Sequence, residues 1–494
     1  MKLEKKIVEI GNLSHSIRSW MEGGNARRLG LITSIDGGQL STLVLDPQKG
    51  AVEYWESALT ADSYRALTLM VPQAHWHERV LWDMFGITPE GHPRMKHVLL
   101  HDVYPPDFFP LRKVPFFDSK GFSKDRGFKF LEVRGEGVYE IPVGPIHAGV
   151  IEPGHFRFSC FGETILNLEL KLGYVHRGVE KRLTELPWQK ARFLVEAAAS
   201  DTAAANALAH AVALESIMGI EPTATAQHFR TLALEMERLA MHIIDLAGMG
   251  TDTGFLGFAQ NMSRLRGKAL GLAHNLSGSR FLRAFIMPGG VRKVDTGILA
   301  KIKKNARELK AELKPLIEFL YESQIARERM EIASVSRSLA NEFGMVGIVA
   351  RACGIDYDCR QSFPHGTYPS FAPPVTVGLK GDIYSRAQVR TGEIFSSLDV
   401  IDAVLENIPD GPTMVSVPDQ LPADTYGVGI VEAFRGELIH FVATGADGKI
   451  VRYNINDPSH NNWTAVSIAI RDNLIADFPL CNKSLALSYS GNDL

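Results

Sequence analysis

The chain has 494 residues, of which 45% are hydrophobic, and its formal net charge is −3 at pH 7. This length allows about two to four domains with more than one core, and the small net charge argues against a nucleic-acid-binding surface. The four cysteines, at positions 160, 353, 359 and 481, share no CxxC spacing. The absence of CxxC pairs argues against a disulfide framework, a zinc ribbon or a ferredoxin-type cluster.

The first part of the chain, residues 1–115, has the pattern of a small α/β domain. Residues 29–33 and 40–45 are predicted strands joined by a glycine-rich turn. A helix is predicted through residues 66–69. The next stretch is rich in proline, glycine and charge, so residues 116–137 are predicted to be a linker.

The second part is organised around Glu-Pro-Gly-His at positions 152–155. Residues 156–159 alternate between apolar and polar, and residues 164–168 follow after a glycine, which is typical of a β-hairpin. A carboxylate and an imidazole beside a Pro-Gly turn place two proton-exchanging groups at an exposed tip. We therefore expect Glu152 and His155 to exchange protons there.

Helical periodicity follows. Apolar residues from Phe229 to Leu246 recur every three or four positions up to Gly248, which predicts a helix with one buried stripe. Two interpretations of its opposite face stay open: a solvated face with side-chain ion pairs, or a buried relay. The residues of that face are Glu235, Glu237, Arg238, His242 and Asp245.

A second helix is predicted from about residue 296 to 316, with a kink at Pro315. From Gly427 onward the pattern changes to short strands, at 430–432 and 438–443, followed by a hairpin turn. The chain is thus predicted to be a multidomain α+β protein. A small N-terminal α/β domain precedes a mainly helical domain that begins with a β-hairpin and ends in short strands.

One block of the N-terminal part resembles a known family. Glu78-Arg79, then Trp82-Asp83-Met84-Phe85-Gly86-Ile87 and Gly91-His92-Pro93, resemble the signature of the small peripheral-arm subunit of respiratory complex I. The resemblance implies a domain that braces a large subunit and carries no cofactor.

Blocks spread over residues 138–494 resemble the large subunit shared by nickel-iron hydrogenases and complex I. They include Tyr174-Val175-His176-Arg177-Gly178-Val179-Glu180-Lys181, Pro288-Gly289-Gly290-Val291, Ala350-Arg351-Ala352-Cys353-Gly354 and Phe434-Arg435-Gly436-Glu437-Leu438. Because a small-subunit-like domain precedes these blocks, the chain is most similar to large subunits of energy-converting, membrane-bound hydrogenases of the formate hydrogenlyase type.

The resemblance also implies where a nickel-iron centre would be held. In hydrogenases, two CxxC pairs supply four thiolates, which are soft ligands suited to nickel and iron. Counting along the matching blocks places these four positions at Ala199, Thr202, Ser488 and Gly491. None of them supplies a thiolate, so we expect no metal and no cofactor bound by this chain, and no hydrogen activation.

Quinone reduction, as in complex I, is the alternative chemistry. In complex I, as the resemblance implies, a histidine and a tyrosine bind the quinone headgroup, and counting places these positions at Ile151 and near Ser200. We therefore expect this chain to lack both quinone-binding side chains, although His147 matches the first histidine of the complex I motif.

A polar shell remains around the vacated positions. Glu152 resembles the glutamate that passes protons at the hydrogenase site, and Arg435 resembles the arginine above it. Asp201 is expected either to pair with Arg435, Arg351 or His147, or to cap a helix. The predicted site residues are Glu152, His155, Asp201 and Arg435 for proton and charge relay, with His147 and Arg351 for cofactor binding.

The first six residues lack the apolar core of a signal peptide and no run of about 18 apolar residues is present, so we expect neither a signal peptide nor a membrane span. The resemblance implies partners instead: a small iron-sulfur subunit that carries the cluster, and integral, antiporter-like membrane subunits that move ions. We expect a peripheral subunit on the cytoplasmic face of the cell membrane. A quinone-reducing subunit and a non-catalytic scaffold stay open as alternatives.

Overall fold

The computed structural model describes residues 1, 3–24, 26–112, 127–147 and 152–494. Its strands are β1 (Lys5–Ile7), β2 (Arg28–Thr33), β3 (Gln39–Asp46), β4 (Ala51–Ala58), β5 (Ser63–Arg65), β6 (Thr88–Glu90), β7 (Val138–Val143), β8 (His155–Phe161), β9 (Thr164–Lys171), β10 (Ile286–Met287), β11 (Gly290–Val291), β12 (Tyr426–Ala433), β13 (Gly436–Thr444) and β14 (Ile450–Asn456). Its α-helices are α1 (Leu13–Glu22), α2 (His75–Phe85), α3 (Val179–Glu185), α4 (Trp188–Val195), α5 (Ala203–Met218), α6 (Ala224–Asp252), α7 (Leu256–Ser277), α8 (Leu299–Glu322), α9 (Gln324–Met330), α10 (Arg337–Glu342), α11 (Gly347–Ala352), α12 (Cys359–Ser362), α13 (Tyr368–Phe371), α14 (Ile383–Glu406), α15 (Pro458–Ala469), α16 (Phe478–Leu485) and α17 (Tyr489–Asn492). The counted position Ile151 and residues 116–126 of the predicted linker lie outside the described residues.

The N-terminal part contains a four-stranded sheet in the order β1-β4-β3-β2. The strands predicted at 29–33 and 40–45 are confirmed as β2 and β3. The helix predicted at 66–69 is wrong, because these residues form a turn after β5. Glu78 of α2 holds this turn, since its carboxylate accepts hydrogen bonds from the amides of Leu67 and Thr68 at 2.7 and 2.9 Å. A side chain thus satisfies backbone groups that a helix would otherwise satisfy.

Strands β7, β8 and β9 form one antiparallel sheet, and the tight hairpin lies between β8 and β9. Its turn contains Gly162, whose φ of +57° suits glycine. The segment 152–155 instead leads into β8, and His155 is buried. The prediction of an exposed tip there is wrong, because the C-terminal segment covers it: an ideal Cβ on Gly154 would lie 2.5 Å from the Tyr489 ring.

The large part is built around α6, which packs against α7 and α14. The predicted stripe is confirmed, because its residues from Phe229 to Leu246 are at most 1% exposed. The helix continues past the expected stop at Gly248 to Asp252. Helix α8 likewise continues through Pro315 to Glu322.

The C-terminal strands β12, β13 and β14 form an antiparallel sheet that covers α5, which confirms the predicted strands. Gly429 of β12 allows the close contact, since an ideal Cβ there would lie 2.0 Å from the carbonyl oxygen of Ala209. Only glycine lets α5 lie this close to the strand.

Two apolar core clusters each contain buried residues from both parts of the molecule, and one of them extends through most of the described chain. Polar contacts also cross the seam between them: Arg452 Nη2 donates to Thr33 Oγ1 at 2.8 Å, and Trp76 Nε1 donates to Thr464 Oγ1 at 2.9 Å. Within the described ranges, no helix has the length and apolarity needed to cross a bilayer. The predicted multidomain α+β fold class is confirmed.

Candidate functional site

The centre of the candidate site is an ion pair just before α5. Arg435, in the turn between β12 and β13, donates to both carboxylate oxygens of Asp201, at 2.9 Å from Nη1 and 2.7 Å from Nη2. Arg435 Nε also donates to the carbonyl of Ala486. A bidentate pair of this kind is the strongest arginine-carboxylate geometry. Of the three partners expected for Asp201, Arg435 is the one in contact.

The electrostatics of the pair follow from its surroundings. Burial alone would raise the pKa of Asp201, but the Arg435 guanidinium outweighs burial and lowers it. The Asp201 side chain keeps 37% of its surface exposed and Arg435 keeps 8%. The carboxylate therefore lies at the open side of the pair, and the guanidinium lies inside.

The four counted ligand positions are buried: Ala199 and Thr202 flank Asp201 in the sequence, and Ser488 and Gly491 follow Ala486, whose carbonyl accepts a hydrogen bond from Arg435. Ala199, Thr202 and Ser488 are 1 to 2% exposed. Ser488 Oγ accepts a hydrogen bond from the amide of Gly491 at 2.8 Å. An ideal Cβ on Gly491 would lie 2.5 Å from Asp457 Oδ2. These residues do not fit a nickel-iron centre, because they offer no thiolate and one position has no room for a side chain.

The four cysteines lie in other contacts. Cys353 Sγ donates to the carbonyl of Val335 at 3.2 Å, and Cys359 lies 3.4 Å from the Tyr357 hydroxyl. Cys160 and Cys481 are buried. Burial raises the pKa of Cys353 and Cys481 to about 11, so these thiols stay protonated and are poor metal ligands.

Glu152 joins the segment before β8 to the C-terminal segment. Its Oε2 accepts hydrogen bonds from the amides of Tyr489 and Ser490 at 3.1 and 2.9 Å. Arg177 adds a second connection: it donates to the carbonyls of Ala198 and Ser490 at 2.7 and 3.2 Å. The two segments that carry the counted positions are thereby fixed to each other.

The other predicted residues are not assembled around Asp201. His155 Nδ1 lies 3.1 Å from the Gly144 carbonyl, and burial lowers the pKa of His155. The His147 ring packs on Phe156, with ring centroids 5.7 Å apart. Arg351 binds Asp358 and Glu432 elsewhere in the domain. The expectation that Arg351 or His147 pairs with Asp201 is therefore wrong.

Helix α5 is capped by a residue of α6. Glu237 accepts hydrogen bonds from the amides of Ala204 and Ala205 at 2.6 and 3.0 Å. The alternative that Asp201 caps the helix is wrong, because Glu237 takes that role. Burial raises the pKa of Glu237 to about 8, although both amide hydrogen bonds oppose this shift.

The polar face of α6 is buried. Asp245 accepts a hydrogen bond from Arg390 Nη1 at 2.5 Å, and the same nitrogen lies 3.3 Å from His242 Nδ1. Burial raises the pKa of Asp245 to about 6, against the effect of Arg390. The solvated interpretation of this face is wrong.

Seven side chains, each at most 1% exposed, form an inner ion cluster: Glu235, Arg238, Arg351, Asp358, Arg360, Glu393 and Glu432.

A buried hydrogen-bond chain also starts at Thr202. Asn206 Nδ2 donates to the Thr202 carbonyl at 2.8 Å, which leaves Asn206 Oδ1 to accept from His440 Nε2 at 3.0 Å. His440 Nδ1 then accepts from the Tyr453 hydroxyl at 2.8 Å, and Tyr453 accepts from His210 Nδ1 at 2.9 Å. Sequence reasoning missed this chain, because it joins residues 202–210 to residues 440–453, which lie more than 200 positions farther along the sequence and share no local motif with them.

Two family profiles match the chain. Residues 51–118 match "Respiratory-chain NADH dehydrogenase, 30 Kd subunit" and residues 252–427 match the corresponding 49 Kd subunit. Formate hydrogenlyase subunit 5 of Escherichia coli (strain K12) is 31% identical over 445 residues, covering 87% of this chain and 77% of that protein. Hydrogenase-4 component G of the same strain is 32% identical over 462 residues, covering 90% and 79%.

Two further relatives match most of the chain. The membrane-bound hydrogenase subunit alpha of Pyrococcus furiosus is 32% identical over 375 residues, which cover 72% of this chain and 87% of that protein. The C/D polypeptide of the NADH-quinone oxidoreductase of Phocaeicola vulgatus is 28% identical over 394 residues, or 76% of each chain.

The two profile matches, on a fold of this kind, define an oxidoreductase-type subunit in which a 30 Kd-type region precedes a 49 Kd-type region. The chain belongs to the family of hydrogenase large subunits that includes formate hydrogenlyase subunit 5 and hydrogenase-4 component G. The resemblance in the sequence is thereby confirmed.

Proposed function

We propose that this chain is a core subunit of a membrane-bound, energy-converting oxidoreductase complex, and that it couples charge to proton movement without a nickel-iron centre. The observation that carries the proposal is the bidentate Asp201–Arg435 pair at 2.7 and 2.9 Å. Asp201 lies in the sequence between two of the counted positions, Ala199 and Thr202, and Arg435 binds the C-terminal segment that carries the other two. An ion pair there supports electrostatic work in place of metal chemistry.

The proton steps belong to the carboxyl groups around the pair. Arg435 keeps Asp201 ionised, while burial raises the pKa of Glu237 to about 8 and that of Asp245 to about 6. A negative charge that arrives nearby favours protonation of these two groups. Glu152, which accepts hydrogen bonds from the C-terminal segment, and His155 relay protons between this centre and the β7–β8 side.

The partners follow from the family. We propose a small iron-sulfur subunit that brings electrons to the Asp201 side and integral membrane subunits that move ions. The chain itself is peripheral, on the cytoplasmic face of the cell membrane. Its domains are 1–115 and 138–494, joined by the linker 116–137.

Metal analysis with electron paramagnetic resonance on the purified complex tests the proposal. We expect iron-sulfur signals, nickel far below one atom per complex, and no hydrogen-dependent dye reduction. In vesicles, Glu152→Gln and Arg435→Ala are expected to lower ion translocation. Nickel at one atom per complex overturns the proposal. Unchanged translocation and electron transfer in both variants would favour a non-catalytic scaffold.

Quinone reduction is the second candidate function, and the similarity to the C/D polypeptides of NADH-quinone oxidoreductases favours it. The electron paramagnetic resonance spectra of the purified complex distinguish quinone reduction from charge coupling alone. An iron-sulfur signal whose relaxation is enhanced by a nearby semiquinone would support quinone reduction, and a signal unaffected by added quinone would support charge coupling alone.

A further inference from the structure

A cavity of about 340 Å³ lies at the seam between the N-terminal and large parts and shares no lining residue with the candidate site. Helix α2 and the segment after β6 line it from one side, and β9, α10 and α15 line it from the other. Sites for small ligands or inserted side chains begin at roughly this volume, about 300 Å³.

Most of the cavity wall is apolar. Leu170, Phe343 and Ile468 line it from the large part, and Trp76 lines it from α2. The Trp76 ring is fixed, because its Nε1 donates to Thr464 Oγ1 at 2.9 Å. The cavity therefore offers a preformed apolar surface that spans both parts of the molecule.

One wall is cationic. Arg79 is only 3% exposed, and its Nε and Nη2 donate to the backbone carbonyls of Lys96 and His97 at 2.8 and 3.3 Å. These acceptors are neutral, and among the described residues no carboxylate lies within ion-pair distance of Arg79. The Trp76 ring centroid lies 4.6 Å from its guanidinium carbon, and Asp83 and Glu169 favour its charge only from farther away. Burying a guanidinium without a direct carboxylate partner is costly, so an anion that enters the cavity beside Arg79 would be stabilised by it.

Two further arginines add to this positive charge. Arg94 binds Glu169 at 2.7 Å, but Glu169 also binds Lys96 and cannot neutralise both cations. Arg471 is exposed, and its Nη2 donates a hydrogen bond of 3.4 Å to the neutral amide oxygen of Asn167. The cavity thus combines an apolar body with an excess of positive charge.

We propose that this cavity receives an acidic segment of a neighbouring subunit. Its carboxylate lies between Arg79 and Arg471, and an adjacent apolar side chain packs on Phe343 and Ile468. A partner segment that contacts both walls also holds the two parts of this chain together. The inference rests on the proposed function only in requiring that the chain works within a complex.

A photocrosslinker at Ser467, which lines the cavity, tests this inference in the purified complex. With p-benzoylphenylalanine at this position, we expect crosslinks to another chain, at a peptide in which Asp or Glu adjoins an apolar residue. Arg471→Glu is expected to lower the crosslinking yield by about tenfold or more, as for loss of a charged hydrogen bond. The matched control is Arg329→Glu, at an exposed arginine of α9 outside the cavity, which should leave the yield unchanged.

A charge swap completes the test, because changing the crosslinked acidic residue to Lys should restore the yield in Arg471→Glu. If other subunits co-purify but Ser467 gives no crosslink to them, or crosslinks only a small carboxylic acid, the inference is overturned and the proposed complex stands. If the chain purifies without other subunits, the proposed function fails as well.

Discussion

At the scale of single residues, Asp457 determines whether one of the four counted positions, Gly491, can carry a side chain. Asp457 Oδ1 accepts a hydrogen bond from the amide of Ser459 at 2.8 Å and caps α15, so its carboxylate is not free to move. We predict that Gly491→Ala lowers the free energy of unfolding in urea by about 1–3 kcal/mol through overpacking. In an Asp457→Ala background the cost should be smaller, and additive costs in this double-mutant cycle would contradict the contact.

Glu237 gives a pH prediction. Its pKa is about 8 in the folded chain against 4.5 as the ordinary value, so the folded state binds more protons than the unfolded state between these values. Stability therefore falls as pH rises through this window and levels off above pH 8. Glu237→Gln should remove roughly 2–4 kcal/mol of the stability loss between pH 5 and 9.

Urea unfolding at several pH values measures this effect. Any hydrogen bond that the glutamine amide lacks shifts stability equally at every pH, so the slope against pH is the diagnostic quantity. Glu221→Gln, at an exposed position, is the control and should leave the slope unchanged. An unchanged slope in Glu237→Gln would show that this carboxyl is ionised throughout.

At the scale of elements, α6 shows what the sequence could predict and what it could not. The spacing of its apolar residues predicted the buried stripe correctly, because a helix that packs one face into a core requires that spacing. The burial of the charged residues on the other face was ambiguous. A carboxylate occupies the same position in the sequence pattern whether it contacts water or a buried arginine. The arginines that bury this face, such as Arg360 and Arg390, lie more than 100 residues away in the sequence.

The same reasoning explains the segment 152–155. The alternation of apolar and polar residues predicted the strands around this segment. The sequence pattern did not indicate that the amides of Tyr489 and Ser490 would bind Glu152. The Asp201–Arg435 pair was predictable only as one of several pairings, because a resemblance placed both residues near the vacated positions. Bond geometry then selected Arg435.

Removing one charge from the inner ion cluster should be costly. Arg360 binds Asp358, Glu235 and Glu393, and all four side chains are at most 1% exposed. Arg360→Met leaves buried carboxylates without this cation, and we predict a loss of about 3–5 kcal/mol in urea unfolding. Arg307→Met removes the exposed pair with Asp402 and should cost much less, because solvent screens that pair. Equal losses would mean that the cluster is hydrated.

At the scale of the whole molecule, the resemblances to two families predicted two domains. The contacts at the seam between these domains were not predictable. It depends on contacts between distant residues, such as Arg28 Nη2 with the carbonyl of Gly344 at 2.7 Å. The apolar core is also continuous across the seam. Separate sequence signatures therefore do not make the two parts physically independent.

Cutting the chain tests this dependence. A protease site inserted after Gly135, an exposed residue ahead of β7, separates the proposed domains without breaking a described strand or helix. Because Arg452, Trp76 and the shared core link the halves, we expect the cut chain to elute as one species and to unfold in one urea transition. Two elution peaks or two transitions would mean that the parts fold independently, and that the seam forms only after each domain is complete.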